Sequence, residues 1–208
     1  THTDLKDTEN VTGPFLVKAT IISESGPIKE IKLNYTSGGP DVSVTMTPTG
    51  TPNEYQASIP GTGVTTSYGY YISVTDGLDR SYTRPGKLIT PSQADQQFYT
   101  TFKTGPDNEA PRITHSPKAF ILDSDTELVI EAIVSDNLGI GQAKIQYQIN
   151  GVAQSDILMV QGTPDSLYAA TINLGTGLTI GDQIKYKIVA IDNAVALNSA
   201  TSPATDFY

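Results

Sequence analysis

Two histidines are the only side chains here whose unperturbed pKa lies near neutrality, so they are the first candidates for acid–base chemistry. His2 stands at the start and His115 just past the middle, each at the presumed first strand of a repeated unit. A catalytic base has no need to recur in both copies of a duplication, whereas a structural residue does. We therefore predict a structural or surface role for both histidines.

Other catalytic patterns are absent from the sequence. There is no cysteine, which excludes a thiolate nucleophile, a zinc–thiolate site and disulfide bonds. No serine lies in a nucleophile elbow, no histidine pair has metalloprotease spacing, and no phosphate-binding loop is present. Asp123 and Asp125 share one face of a strand, but a two-carboxylate hydrolase also needs a substrate cleft, which small sandwiches rarely form. The sequence predicts that the chain is not an enzyme.

Three acidic segments could supply oxygen ligands to a metal ion. One is the linker before the second copy, and the others are two loops predicted to meet it at one end of that domain. Calcium, the one cofactor that the sequence suggests, takes six to eight oxygens from carboxylates, amides and backbone carbonyls. The alternative is that these residues occupy turns because their side chains bond nearby backbone amides. The candidate ligands are Asp107, Asn108, Glu109, Asp136, Asn137, Asp192 and Asn193.

These candidates belong to a chain that contains the same pattern twice. The marks recur in the same order, at offsets that drift by only a few residues, which indicates a duplicated fold unit. Two domains of about 100 residues each are predicted, covering residues 1–108 and 109–208. The recurring marks include Asp7-Thr8-Glu9 with Asp125-Thr126-Glu127, Tyr70 with Tyr186, and Asp76 with Asp192.

Alternation of apolar and polar residues dominates both copies. Ile31, Leu33 and Tyr35 alternate with polar neighbours, and turn signals separate such segments at the spacing typical of all-β sandwiches. A helical turn is predicted only at residues 91–95. The predicted fold class is therefore all-β, with two antiparallel sandwiches of about seven strands each.

A tyrosine pattern near the end of each copy resembles a known group of domains. Val64 precedes Tyr70 by six residues, Ile180 precedes Tyr186 by six, and each strand ends in an Asp turn. This is similar to the sixth strand of fibronectin type III and related immunoglobulin-like modules, and the resemblance implies that the tyrosine hydroxyl bonds back to the preceding loop.

The repeated marks taken together also resemble the tandem sandwich repeats of large exported bacterial proteins, especially secreted peptidases and surface proteins of the Bacteroidetes. The resemblance implies an accessory module beside a catalytic or adhesive region. The first copy departs from it at residues 80–97, where the connection before the last strand, or that strand itself, is predicted to be extended.

Composition and charge narrow the partners. A net charge of −9 argues against nucleic acid and against an anionic membrane surface. No stretch approaches the roughly 18 apolar residues of a membrane span, and no signal peptide opens the chain. The start at Thr1 suggests a processed or excised fragment.

We therefore expect a monomeric, non-catalytic spacer or adhesion module of a secreted or cell-surface bacterial protein. Its partners would be neighbouring domains of the same polypeptide, together with a protein or polysaccharide at a cell surface. The acidic linker resembles that of cadherins, which implies calcium stiffening at the domain junction. The alternative function is a carbohydrate-binding accessory module of a secreted hydrolase. Tyrosines could serve as sugar platforms: alternation exposes at least one of Tyr68, Tyr70 and Tyr71, and Tyr82 and Tyr99 lie near the insertion.

Overall fold

The computed structural model describes residues 1–24, 26–88, 96–175 and 178–208. The chain divides into two compact units, Thr1–Pro106 and Asp107–Tyr208. The boundary expected from the sequence, after residue 108, falls in the same segment. The described ranges contain no helix, and so no helix there that is long and apolar enough to cross a membrane. The helical turn predicted at residues 91–95 lies outside the described residues.

The first unit is a sandwich of two antiparallel sheets. One sheet has the order β1-β5-β4, and His2 forms a bridge with Ala19 at its open edge. The other has the order β10-β6-β2-β3, with β7 also paired to β6. The strands are β1 (Phe15–Thr20), β2 (Ile28–Thr36), β3 (Val42–Thr45), β4 (Thr47–Pro48), β5 (Glu54–Ile59), β6 (Thr66–Asp76), β7 (Ser81–Arg84), β8 (Lys87–Leu88), β9 (Gln96–Gln97) and β10 (Thr100–Thr104).

The second unit repeats this arrangement. Its sheets have the orders β11-β12-β17-β16 and β14-β13-β18-β19, and β15 also pairs with β13. β11, β12, β17 and β16 correspond to strands A, B, E and D of the immunoglobulin-like order, and β13, β18 and β19 correspond to strands C, F and G. The strands are β11 (Arg112–Thr114), β12 (Glu127–Ser135), β13 (Ile140–Ile149), β14 (Val152–Ala153), β15 (Ile157–Leu158), β16 (Val160–Gln161), β17 (Leu167–Asn173), β18 (Ile184–Asp192) and β19 (Ser199–Ser202).

The predicted fold class is confirmed: the chain is all-β, a tandem pair of immunoglobulin-like antiparallel sandwiches. Period-two alternation drives the packing, because each strand buries every second side chain between the sheets. β12 shows this over its whole length, with alternating buried and exposed residues. Each unit has its own hydrophobic core, built by equivalent strands.

The last strand of each unit is broken at an equivalent place. In the first unit β7 pairs with one half of β6 and β10 with the other half, with residues 85–99 between them. In the second unit β19 pairs with the end of β18, and after a short excursion the Tyr208 N–H donates to the Tyr186 carbonyl. The extension predicted at residues 80–97 thus includes an insertion within the last strand.

The aromatic cluster around Phe102 closes the core of the first unit. Phe102 is 2% exposed and stacks on Tyr68 with 4.9 Å between ring centroids. We expect Phe102→Ala to destabilise this unit by about 3–5 kcal/mol, because it removes transfer free energy and leaves a cavity. Phe98→Ala is the control, since Phe98 is 48% exposed. Calorimetry of the two variants should show the loss for Phe102 only, and equal melting temperatures would contradict this packing.

Candidate functional site

Each histidine takes part in a chain of hydrogen bonds, and the two chains are equivalent. In the first unit His2 Nδ1 lies 2.8 Å from the Lys18 carbonyl oxygen and His2 Nε2 lies 2.7 Å from the Tyr70 hydroxyl. The Leu5 N–H donates to the same hydroxyl at 2.9 Å. Since a carbonyl can only accept, Nδ1 carries the proton; in the uncharged ring Nε2 then accepts from Tyr70. Each donor in the chain therefore has one acceptor.

The second unit has the same hydrogen bonds between equivalent atoms. His115 Nδ1 lies 2.6 Å from the Glu131 carbonyl oxygen and Nε2 lies 2.7 Å from the Tyr186 hydroxyl. The backbone of Lys118, three residues after the histidine as Leu5 is, also hydrogen-bonds to that hydroxyl. We call these two arrangements the histidine latches. Each joins the first segment of its unit to β6 or β18, so the histidine has a structural role.

The structure corrects the expected role of the two tyrosines. The resemblance implied a bond from Tyr70 and Tyr186 to the preceding loop, but both hydroxyls face the first segment of the unit instead. That loop is reached in the first unit by Tyr68, whose hydroxyl donates to the Pro60 carbonyl at 3.3 Å. The apolar partners expected before the tyrosines, Val64 and Ile180, are exposed. Tyr70 and Tyr186 lie on the predicted strands, but the prediction of their hydroxyl partners is wrong.

Burial of the latch hydroxyls changes their acidity. Desolvation by the surrounding core raises the pKa of both Tyr70 and Tyr186 to about 12. The nearby Asp4 charge adds to this for Tyr70, and Tyr208 adds to it for Tyr186, while the backbone hydrogen bond in each latch opposes it. Both phenols are therefore held in the protonated form that the latch requires.

The acidic cluster in the second unit brings together three of the seven predicted calcium ligands. One carboxylate oxygen from each of Asp107, Asp136 and Asp192 lies within 4.8 Å of the other two. Calcium–oxygen bonds of about 2.3–2.6 Å place ligands on opposite sides of one ion about 5 Å apart, so these separations suit a shared cation. Asp107 and Asp192 are buried.

Two amide side chains border the acidic cluster. Asn137 Nδ2 donates to Asp107 Oδ1 at 3.3 Å. Asn198 Nδ2 donates to Asp192 Oδ2 at 2.9 Å and to the Asp107 carbonyl at 3.1 Å. Sequence reasoning missed Asn198, because only the return of the chain into β19 places it beside Asp192.

The other predicted ligands lie outside the acidic cluster. Asn108 and Glu109 are exposed, although the Glu109 N–H donates to Asp107 Oδ1. Asn193 is also exposed, and its backbone N–H donates to the Gly139 carbonyl. The structure thus brings the three predicted segments together, and Asn108, Glu109 and Asn193 face solvent.

Turn formation also uses the three carboxylates. Each accepts the N–H two residues later, so that Asp107, Asp136 and Asp192 bond Glu109, Leu138 and Ala194 in the same manner. These bonds are the turn role weighed against a metal site, and they occupy one oxygen of each carboxylate. Burial first, and then the charges of Asp107 and Asp192, raise the pKa of Asp136. The cluster therefore carries mutual repulsion that a cation would relieve.

The first unit provides an internal comparison for this cluster. Asp76, which corresponds to Asp192, receives Arg80 Nε and Nη2 on Oδ2, both at 2.7 Å. Although burial raises the pKa of Asp76, the hydrogen bonds and charge of Arg80 lower it overall. Among the described residues, no lysine or arginine is paired with Asp136 or Asp192. The first unit thus places a guanidinium where the second gathers carboxylates.

Surface tyrosines of the first unit form a smaller feature beside the insertion. Tyr71 and Tyr99 make an edge-to-face contact with 5.5 Å between ring centroids. The Tyr99 hydroxyl donates to both oxygens of the Asp41 carboxylate at 3.0 Å. Tyr82 is exposed and lies on β7. The described tyrosines thus offer one aromatic pair beside an exposed carboxylate.

Comparisons with known proteins give distant likenesses only. No protein family and no curated protein matches the chain. The fibronectin(III)-like modules of Clostridium thermocellum CbhA are 16% identical, with 93% of this chain and 84% of that chain covered and a TM-score of 0.35. A tetra-tandem repeat in the extending region of a large adhesion protein is 15% identical, with 94% and 46% covered and a TM-score of 0.34. The chain thus spans about half of that repeat, and the fold assignment rests on the strand order of each unit.

The latch tyrosines predict a loss of stability at alkaline pH. In the unfolded chain Tyr70 and Tyr186 ionise near pH 10, but in the folded units their pKa is about 12. Between these values the unfolded state binds fewer protons, so the free energy of unfolding falls as pH rises. The stabilisation is complete below pH 10, and up to about 2.7 kcal/mol per tyrosine is lost by pH 12.

Urea unfolding at several pH values checks this expectation. A chain carrying Tyr70→Phe and Tyr186→Phe should show a shallower fall above pH 10, whereas Tyr82→Phe, at an exposed position, should leave the fall unchanged. An undiminished fall in the double variant would show that the latch hydroxyls are not its source.

Proposed function

We propose that the chain is a non-catalytic spacer or adhesion-type module of a larger exported protein, where it positions a neighbouring domain. The single observation that carries the proposal is the repeated histidine latch. The only two neutral-range bases, His2 and His115, perform the same structural task in both units. A duplicated pair of closed sandwiches is suited to spacing, because antiparallel paired strands resist extension.

We also propose that the acidic cluster binds calcium and orders the start of the second unit. Asp107 is the first residue of that unit, Asp136 follows β12, and Asp192 is the last residue of β18. A shared ion would fix the incoming chain to both loops. The contrast with Arg80 of the first unit supports this, because the equivalent aspartate there already has a cation.

Calcium is expected to raise the melting temperature of the second unit. For dissociation constants of about 0.1–1 mM, as in extracellular modules, about 5 mM calcium stabilises by about 1–2 kcal/mol. That corresponds to a rise of several degrees in a domain of this size. Asp136→Asn keeps an oxygen for the Leu138 N–H but removes a charge, so it should abolish the rise. It should also stabilise the metal-free unit, because the pKa of Asp136 is raised.

Asp165→Asn is the matched control, since it removes one exposed carboxylate of the same unit outside the acidic cluster. Scanning calorimetry with and without calcium compares the three chains. The calcium site is contradicted if the unmodified chain shows no rise, or if Asp136→Asn shows the same rise.

A carbohydrate-binding accessory role is the second candidate. The Tyr71–Tyr99 pair beside Asp41 favours it. An aromatic face can stack on a sugar ring, and a neighbouring carboxylate can accept hydrogen bonds from the sugar hydroxyls. Within the described residues this pair is found in the first unit, next to the insertion.

Retention on immobilised polysaccharides separates the two roles. As a spacer, the chain should pass through without saturable retention, and Tyr99→Ala should elute at the same volume, with Tyr82→Ala as the exposed control. Saturable retention that Tyr99→Ala removes and Tyr82→Ala keeps would overturn the spacer proposal in favour of a sugar-binding module.

A further inference from the structure

The turn between β13 and β14 contains the only Asn-Gly pair of the sequence, Asn150-Gly151. Ile149 pairs with Val152, so these two residues form the whole loop of the hairpin. Both have a positive φ, 50° for Asn150 and 80° for Gly151, as in the type I′ turn that Asn-Gly favours. Both are exposed to solvent. An exposed Asn-Gly pair is prone to deamidation, because glycine has no Cβ to hinder attack by its own nitrogen.

Deamidation of such a pair is an intramolecular reaction. The Gly151 backbone nitrogen attacks Cγ of the Asn150 side chain, the bond from Cγ to Nδ2 breaks, and ammonia leaves with the proton of the Gly151 nitrogen. The product is a five-membered succinimide ring. Water opens this ring at one of its two carbonyls, which leaves either aspartate or isoaspartate at position 150. Each product has a carboxylate where asparagine had a neutral amide.

Hydrogen bonds from the side chain and from the backbone hold Asn150 against the segment before β18. Asn150 Nδ2 donates to Asp182 Oδ1 at 2.7 Å, and the Gln183 N–H donates to Asn150 Oδ1 at 2.8 Å. The Asn150 backbone N–H donates to the Gln183 carbonyl, also at 2.8 Å. The side-chain amide therefore extends the hydrogen bonding between β13 and β18, with Oδ1 in the place of a backbone carbonyl.

This arrangement directs the amide away from its attacking group. β13 lies between β14 and β18 in its sheet. The Asn150 side chain bonds on the side of β18, whereas Gly151 leads the chain to β14 on the other side. Attack by the Gly151 nitrogen turns Cγ away from Asp182 and Gln183. The reaction therefore requires both side-chain hydrogen bonds of Asn150 to break.

Asp182 determines what the modification does to the fold. Its Oδ2 accepts from the Thr179 N–H at 2.6 Å. This bond first, and then the bond from the Asn150 amide, lowers the pKa of Asp182, so its carboxylate is ionised at neutral pH. After deamidation the group facing Asp182 is a second carboxylate, and two like charges at hydrogen-bonding distance repel each other. The link between the hairpin and the segment before β18 becomes a repulsion.

We propose that Asn150 is a site of slow, spontaneous deamidation, that its hydrogen bonds to Asp182 and Gln183 set the rate, and that the modification loosens the second unit. The reaction needs water and no enzyme. Its rate depends on how often the side chain leaves Asp182, so the fold itself controls the modification. The inference does not depend on the spacer role, on calcium or on a bound sugar.

The first unit is an internal reference for this site. The latch tyrosines pair with Tyr35 and Tyr147, so Gly38 of the first unit corresponds to Asn150 of the second. Gly38 has no amide side chain to lose, and the sequence of the first unit contains no other Asn-Gly pair. The loosening is therefore expected in one unit of the pair.

Mass spectrometry of the fragment that contains residue 150 measures the reaction in the folded 208-residue chain. The chain is incubated in mildly alkaline buffer beside a free peptide of residues 147–154, Tyr-Gln-Ile-Asn-Gly-Val-Ala-Gln. The folded chain should react about tenfold or more slowly than the peptide, because a hydrogen bond to a charged group must break first. Asp182→Ala should remove most of this difference, and Asp165→Ala, at an exposed carboxylate outside the turn, should keep the slow rate. Equal rates for the folded chain and the peptide, or no acceleration by Asp182→Ala, would overturn the proposal.

A second set of chains gives a test that a general loss of stability in Asp182→Ala cannot imitate. Asn150→Asp reproduces the aspartate product and should lower the melting temperature of the second unit by several degrees, with the first unit unchanged. Adding Asp182→Asn should restore it, because the new amide can donate to the carboxylate at position 150 while its oxygen accepts from the Thr179 N–H. An unchanged melting temperature in Asn150→Asp, or no recovery in the double variant, would show that the carboxylates do not repel each other as proposed.

Discussion

A buried phenol that must be hydrogen-bonded is the constraint on which each unit depends. Tyr70 on β6 and Tyr186 on β18 lie almost completely buried between the sheets. An unsatisfied hydroxyl there would cost about 1–3 kcal/mol. The histidine and the backbone N–H three residues after it satisfy that hydroxyl as acceptor and donor. Because the histidine is in turn bonded to a carbonyl of β1 or β12, it links the first segment of its unit to both sheets.

The two copies keep this constraint and differ at their ends. Where the first unit pairs Asp76 with Arg80, the second brings together the carboxylates of Asp107, Asp136 and Asp192. Duplication thus preserved the frame, while the equivalent aspartates Asp76 and Asp192 acquired different neighbours.

Much of this could be predicted from the residues, and the failures have physical causes. Alternation and turn spacing were sufficient for the fold because sandwich strands bury every second residue. The order of strands brings the three acidic segments to one end of the second unit, as the sequence indicates. The exposure of Asn108, Glu109 and Asn193 depends on turn geometry that the composition does not encode. The bonds of the tyrosines were missed because His2 and Tyr70 meet only after both sheets have packed.

The tautomer of the two imidazoles tests the account most directly, because it reports whether each ring serves as a fixed link. Long-range proton–nitrogen NMR correlations distinguish a protonated ring nitrogen from an unprotonated one. For the uncharged rings we predict a single tautomer at both positions, with the proton on Nδ1 and none on Nε2. A proton on Nε2, or averaged signals that mark freely exchanging tautomers, would contradict the idea that each histidine is a fixed link within its own sandwich.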